Sequence, residues 1–201
     1  MKLVLASNNA KKLGELREIL APAGWELIAQ GELGVSEAEE PYATFVENAL
    51  AKARHAARAT GLPALADDSG LCVDALGGAP GVHSARYAGE PKSDARNNEK
   101  LLAELAQHSN GDASASRRAR FVCVIVFVRS ADDPQPLIAE GEWIGEILPA
   151  PTGGGGFGYD PLLWIAECQA SVAELPAAEK HRRSHRGQAL ARLLERLRER
   201  G

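Results

Sequence analysis

Phe121 to Val128 reads FVCVIVFV, eight consecutive apolar residues rich in β-branched side chains. A run this long without alternation predicts a central strand covered on both faces. The flanking sequence supplies covering elements. Thr44 opens TFVENALAKARHAARATG, with Glu47 three residues after the cap and Gly61 and Pro63 at the end, the pattern of a capped helix. Leu13, Leu16, Ile19 and Leu20 follow helical spacing within Ala10–Leu20 until Pro22 and Gly24 stop it. A third helix starts near Asp94, with Leu101, Leu102 and Leu105 on its apolar face. A last one, QALARLLERLRER, packs through Leu190, Leu193, Leu194 and Leu197.

Strands are expected at Lys2–Ala6, Trp25–Ala29 and Ala64–Ala66, and at Leu137–Ile147, where Glu140, Glu142 and Glu146 partly alternate with apolar residues. Those glutamates fit a solvated sheet face better than a second ion site. Strands and helices interleave, which predicts an α/β fold with a mixed sheet flanked by helices. No repeat or linker divides the 201 residues, so a single domain over 1–201 is expected.

A net charge of −4 argues against a general nucleic-acid binder. Cys72, Cys123 and Cys168 are odd in number and widely spaced, which disfavours a disulfide framework. The opening MKLVLASNN has too short an apolar run for a signal peptide, and no stretch is long enough to span a membrane. The default expectation is a cytoplasmic protein with reduced thiols.

Three features carry chemistry. Lys11 and Lys12 fall in the first turn of a helix that follows a strand and a polar loop. That helix end offers backbone N–H groups to an anion and disfavours cations, so the lysines either extend into water or meet a bound anion. Asp67 and Asp68 close the short strand at Ala64–Ala66, and Ser69 and Gly70 are expected to turn the chain. Paired acids there suit a divalent cation, although Asp-Asp-Ser-Gly is equally the composition of a solvated turn. Glu40 precedes the Thr44 helix without a capping duty, unlike Glu47, and Lys52 can reach the same pocket or snorkel at the surface.

The third feature is PAPTGGGGFGYDP, residues 149–161, in which Phe157 and Tyr159 sit among five glycines. Such a loop makes a lid or a base-stacking wall, and one of the two aromatics can be ordinary core. The basic run Lys180, His181, Arg182, Arg183, His185 and Arg186 precedes the last helix. At a helix start it would oppose the dipole, so it reads as a surface patch or as the seat of an anionic or carbonyl-rich ligand. Together the features describe a site for a polyphosphate joined to an aromatic base. Mg²⁺ takes a few carboxylates plus phosphate oxygens, and Glu40 and Asp68 with the substrate would suffice.

At this level of detail the chain resembles the inosine/xanthosine triphosphate pyrophosphatase family. The matching segments are SNNAKK at 7–12, EEPYATFVENALAKARHAA at 39–57, ADDSGLCVDALGGAPGVHSARYAG at 66–89, GGFGYDP at 155–161 and SHRGQAL at 184–190. They run in the family's order along most of the chain. The resemblance implies hydrolysis of the α–β bond of inosine, deoxyinosine and xanthosine triphosphates to the monophosphate and pyrophosphate. It also implies Mg²⁺, a homodimer, and an elongated fold of two lobes with a central substrate cleft.

Carried over by motif position, Ser7, Asn9 and Lys12 contact the triphosphate, and Lys52 reaches the phosphates from the second helix. Glu40 and Asp68 hold Mg²⁺, with Asp68 activating water, and Ser69 helps on that side. Phe157 stacks on the purine, Gly158, Tyr159 and Asp160 shape the base and sugar region, and Lys180, His185 and Arg186 read the base. Cationic donors match a 6-oxo acceptor and leave a 6-amino donor poorly paired. The chain departs from the commoner family form at Asn8, where glycine is frequent, and at Pro41-Tyr42, where Thr-Gly is frequent. The competing expectations are a broad-specificity nucleoside triphosphate pyrophosphatase and a non-catalytic nucleotide sensor.

Overall fold

The computed structural model describes residues 2–7, 13–14, 16–17, 24–112 and 114–199. Its elements run β1 (Lys2–Leu5), β2 (Glu26–Ala29), α1 (Phe45–Thr60), β3 (Ala64–Val73), α2 (Asp94–Ser109) and β4 (Arg118–Val128). They continue with β5 (Leu137–Ile147), β6 (Leu163–Ile165), β7 (Ala170–Ser171), α3 (Ala177–Arg183) and α4 (His185–Arg198). Seven strands form one sheet in the order β2-β1-β3-β4-β5-β6-β7. β1 is parallel to both β2 and β3, with Leu5 opposite Ala29 on one side and Leu65 on the other. β6 is antiparallel to β5 and β7, so the sheet is mixed. The expected α/β architecture, a mixed sheet flanked by helices, is what the chain adopts.

Every residue from Phe121 to Val128 is buried, as an uninterrupted apolar strand requires. α1 begins as its sequence dictates: the Thr44 hydroxyl oxygen accepts the Glu47 N–H at 3.3 Å and donates to Glu47 Oε2 at 2.6 Å. Gly61, at φ +68°, closes it. Its buried residues include Ala49, Ala53, Ala56 and Ala57, whose small side chains let the helix lie close against the strands. β5 alternates buried Leu137, Ala139, Gly141 and Trp143 with exposed Glu140, Glu142 and Ile144. Glu142 pairs with Arg120 at 3.6 Å, in keeping with a solvated face.

The chain gathers into two compact units. The first comprises Met1–Asp68, Cys123–Gly141 and Arg186–Gly201, with a core that includes Leu3, Leu5, Leu65, Ile125, Phe127 and, from α4, Leu190 and Leu193. The second comprises Ser69–Val122 and Glu142–His185, with a core around Leu71, Leu101, Leu105, Trp143, Leu163 and Ile165. Among the described residues no helix is long and apolar enough to cross a membrane. None of the three cysteines is in a disulfide.

Two local expectations are overturned. Asp67-Asp68-Ser69-Gly70 is not a turn, because β3 runs on as an extended strand to Val73. The chain turns later, through the short helix Asp74–Leu76 and Gly77 at φ +62°. The basic run does not begin a helix either. Lys180, His181, Arg182 and Arg183 occupy the last turn of α3, the end the dipole favours for cations. Ser184, extended at φ −62° and ψ 157°, separates that helix from α4, so only His185 and Arg186 of the run stand at a helix start. Of the expected Ala10–Leu20 helix, residues 13–14 and 16–17 are helical, and Leu16 is fully buried. The rest of it, with Asn9, Lys11 and Lys12, lies outside the described residues.

Candidate active site

In the first unit, the continuation of β3 as a strand decides what the two acids can do. Consecutive strand side chains point to opposite faces, so Asp67 and Asp68 form their ion pairs with different cations. Even-numbered Asp68 meets α1. Its Oδ1 lies 3.1 Å from Lys52 Nζ, and the same ammonium lies 3.1 Å from Glu40 Oε1. Asn48, one helical turn before Lys52 on the same face, donates from Nδ2 to Asp68 Oδ2 at 3.4 Å and to the Tyr42 carbonyl at 3.2 Å. Asn48 Oδ1 accepts the Tyr42 N–H at 3.1 Å, which anchors the segment carrying Glu40 to α1. The structure therefore brings Glu40, Lys52 and Asp68 together.

Asp68 is 6% exposed and the Lys52 side chain 12%, whereas the Glu40 side chain is 31% exposed, so the cluster is shielded at Asp68 and open to water at Glu40. Burial acts to lower the Lys52 pKa, but the charges of Asp68, Asp67 and Glu40 outweigh it and hold the ammonium above its ordinary value. Two carboxylates around one cation form a hard-oxygen donor set, the kind a divalent ion uses when phosphate oxygens and water complete its shell. Among the described residues no group of three or more His, Cys, Asp or Glu side chains converges as a metal site. Ser7 follows β1, where its N–H donates to the Leu5 carbonyl at 2.9 Å, and Ser69 is half-buried in β3.

Odd-numbered Asp67 faces the other side of the sheet, as Leu65 does in packing with Leu190 and Leu193 of α4. Its Oδ2 lies 3.7 Å from Arg186 Nε, and the two residues are 2% and 4% exposed.

In the second unit, Asp160 organises the glycine-rich loop. Asp160 Oδ2 accepts the Phe157 N–H at 2.8 Å and pairs with Lys180 Nζ at 2.7 Å. The Lys180 ammonium also lies 4.9 Å from the centroid of the Phe157 ring. Gly156 makes room for the carboxylate: a Cβ there would sit 2.0 Å from Asp160 Oδ2. From α2, Asn98 Nδ2 donates to the Gly158 carbonyl at 3.1 Å, and Asp94 Oδ2 accepts the Gly158 N–H at 2.7 Å. Tyr159 is the aromatic that belongs to the core, 4% exposed with its hydroxyl donating to the Ser84 carbonyl at 2.9 Å. His185 stacks on Phe121 with centroids 4.9 Å apart and planes 22° apart.

Phe157, Gly158, Asp160 and Lys180 thus form one cluster, whereas Tyr159 supports it from within. Sequence reading missed Asn48, Asp94 and Asn98. The available signal for Asn48 was a polar residue four before Lys52 on an otherwise alanine-lined face.

The model of the Ham1 family matches residues 3–196. A dITP/XTP pyrophosphatase of Ralstonia nicotianae is 62% identical over 98% of this chain and 96% of its own. A dITP/XTP pyrophosphatase of Nitrosomonas europaea is 60% identical over 98% and 95%. Among solved structures, a HAM1 protein from Coxiella burnetii superposes with a TM-score of 0.93 at 49% identity, covering 99% of each chain. The Staphylococcus aureus Ham1 protein gives a TM-score of 0.88 at 39% identity, with both chains fully covered. The chain is a member of the Ham1 family.

Proposed function

We propose that this chain hydrolyses non-standard purine nucleoside triphosphates, those of inosine, deoxyinosine and xanthosine, to the monophosphate and pyrophosphate. The relatives named dITP/XTP pyrophosphatases, about 60% identical over nearly the whole chain, support the reading. The observation that carries it is the cluster of Glu40, Lys52 and Asp68, two carboxylates converging on one half-buried ammonium.

In this reading Lys52 places a fixed positive charge against the phosphates, in a setting where little water screens it. Asp68 accepts a proton from the attacking water, and Asn48 keeps its second oxygen oriented. Glu40 and Asp68 would hold Mg²⁺, which when bound supplies charge neutralisation at the phosphate oxygens. Ser7, Asn9, Lys12 and Ser69 are assigned to the polyphosphate. Phe157 stacks on the purine, and Lys180, His185 and Arg186 supply donors for a 6-oxo group, with Gly158, Tyr159 and Asp160 shaping that region. The family resemblance also supports a homodimer, and the thiols outside any disulfide are compatible with a cytoplasmic setting.

The test is hydrolysis of inosine, xanthosine, adenosine and guanosine triphosphates with and without Mg²⁺, detecting pyrophosphate and orthophosphate separately. Pyrophosphate release that requires Mg²⁺ and favours inosine and xanthosine is expected. Orthophosphate alone would refute α–β cleavage, and equal rates across the four would replace the specificity with a broad one.

A further inference from the structure

Beyond adding to the negative charge around Lys52, Asp67 has no assigned part in the reaction, yet its position costs more than a solvated acid would. Its carboxylate is 2% exposed, and its partner Arg186 is 4% exposed in the first turn of α4, a helix of 14 residues. A guanidinium there faces the positive end of the helix dipole. Burying two charges also carries a desolvation penalty that pairing often fails to repay, and well-packed apolar residues of similar volume commonly serve stability as well or better. Stability alone therefore gives no reason for an acid at 67.

Geometry gives one. Asp67 and Asp68 are consecutive residues of β3, which lies between β1 and β4 in the sheet order, and alternation sends them to opposite faces. One faces the Arg186 guanidinium at 3.7 Å and the other the Lys52 ammonium at 3.1 Å. We propose that Asp67 is a positioning residue that sets the orientation of Arg186 and thereby determines base specificity. The same short piece of strand also carries Asp68, so the group that reads the purine and the carboxylate that activates water are aligned by a single backbone element. A base that fails to seat Arg186 then costs turnover as well as binding. This inference rests on the functional reading above, in which Arg186 reads the base.

The experiment measures kcat and KM for inosine and adenosine triphosphates, with calorimetric binding of inosine monophosphate and thermal melts, for wild type, D67N, D67E, R186Q and D67N/R186Q. D67E keeps the charge but lengthens the arm by one methylene, and the double variant removes both buried charges together. These two variants cover the case in which D67N, by removing one charge of a buried pair, fails to fold. The inosine-over-adenosine ratio of kcat/KM should fall about tenfold or more in D67E, with inosine monophosphate binding weakened and part of the loss in kcat. D67N/R186Q should show the same ratio as R186Q, because Asp67 acts through Arg186. A wild-type ratio in D67E with only a lowered melting temperature would reduce Asp67 to a structural residue and overturn the proposal. A ratio in the double variant well below that of R186Q would also overturn it, by showing an independent route. A wild-type enzyme with no inosine preference would instead remove the functional reading, and this inference with it.

Discussion

Replacing Gly156 with alanine should release the loop that presents Phe157. Gly156 sits at φ +73°, and a left-handed conformation costs a residue with a Cβ roughly 1–2 kcal/mol. The new methyl would also lie 2.0 Å from Asp160 Oδ2 and 2.9 Å from its Cγ, so the carboxylate must move. That oxygen accepts the Phe157 N–H at 2.8 Å and pairs with Lys180 at 2.7 Å, and Asp160 is 4% exposed, so little water can replace what is lost. A hydrogen bond to a charged group contributes about 1.5–3 kcal/mol, and the loss of one such bond is counted here because the carboxylate can keep the other by rotating. The total is about 3–5 kcal/mol, a large share of the ~5–15 kcal/mol that holds a domain folded. At an m-value of about 2 kcal/mol/M this lowers the urea midpoint by roughly 2 M. Urea unfolding followed by tryptophan fluorescence reads the shift, and initial rates with inosine triphosphate should show a raised KM as Phe157 and Lys180 lose their common anchor. Gly154→Ala is the control, because its φ is not left-handed and its added Cβ would meet nothing within 4 Å. A midpoint for Gly156→Ala within about 0.3 M of wild type, at unchanged m and KM, would refute the reasoning.

Asp68→Asn should lower kcat by about 10²-fold or more while the far-ultraviolet circular dichroism spectrum stays native, which steady-state kinetics will check. Thr44→Ala removes the oxygen that accepts the Glu47 N–H and should destabilise the protein by about 1 kcal/mol, read by the same urea titration. Asp133 accepts hydrogen bonds from Arg129 Nε, Nη2 and N–H and from the Gln135 N–H, and the Arg129 side chain foremost holds its carboxyl well below the usual range. Its contribution is complete above the ordinary carboxylate pKa and is lost as pH falls through the depressed value. Asp133→Asn should therefore lower the urea midpoint most at pH 7, and the gap from wild type should close as pH is taken below about 4.

Much of the fold was legible because local and tertiary preferences agree. Thr44, Glu47 and Gly61 mark both ends of α1, and the apolar run Phe121–Val128 could only be an interior strand. The sequence misled where they disagree. Asp, Ser and Gly favour turns when local preference decides, but 67–70 lie inside the ten-residue strand β3 and stay extended through all four residues. In the basic run, a single extended residue at Ser184 moved Lys180, His181, Arg182 and Arg183 from the start of one helix to the end of another. Of the site, the grouping of Glu40, Lys52 and Asp68 followed from motif position, whereas Asn48, Asp94 and Asn98 did not. Their roles are to hold neighbours through side-chain amide and carboxylate bonds, and such contacts leave no periodicity in a sequence.

Both outer strands of the sheet are short, four residues in β2 and two in β7. An edge that brief offers an arriving chain little backbone to ladder onto, which disfavours the open-ended stacking that longer flat edges invite. A second copy of this protein would have to be recognised through side chains rather than by prolonging the sheet. Substitutions at such a contact would then be felt residue by residue.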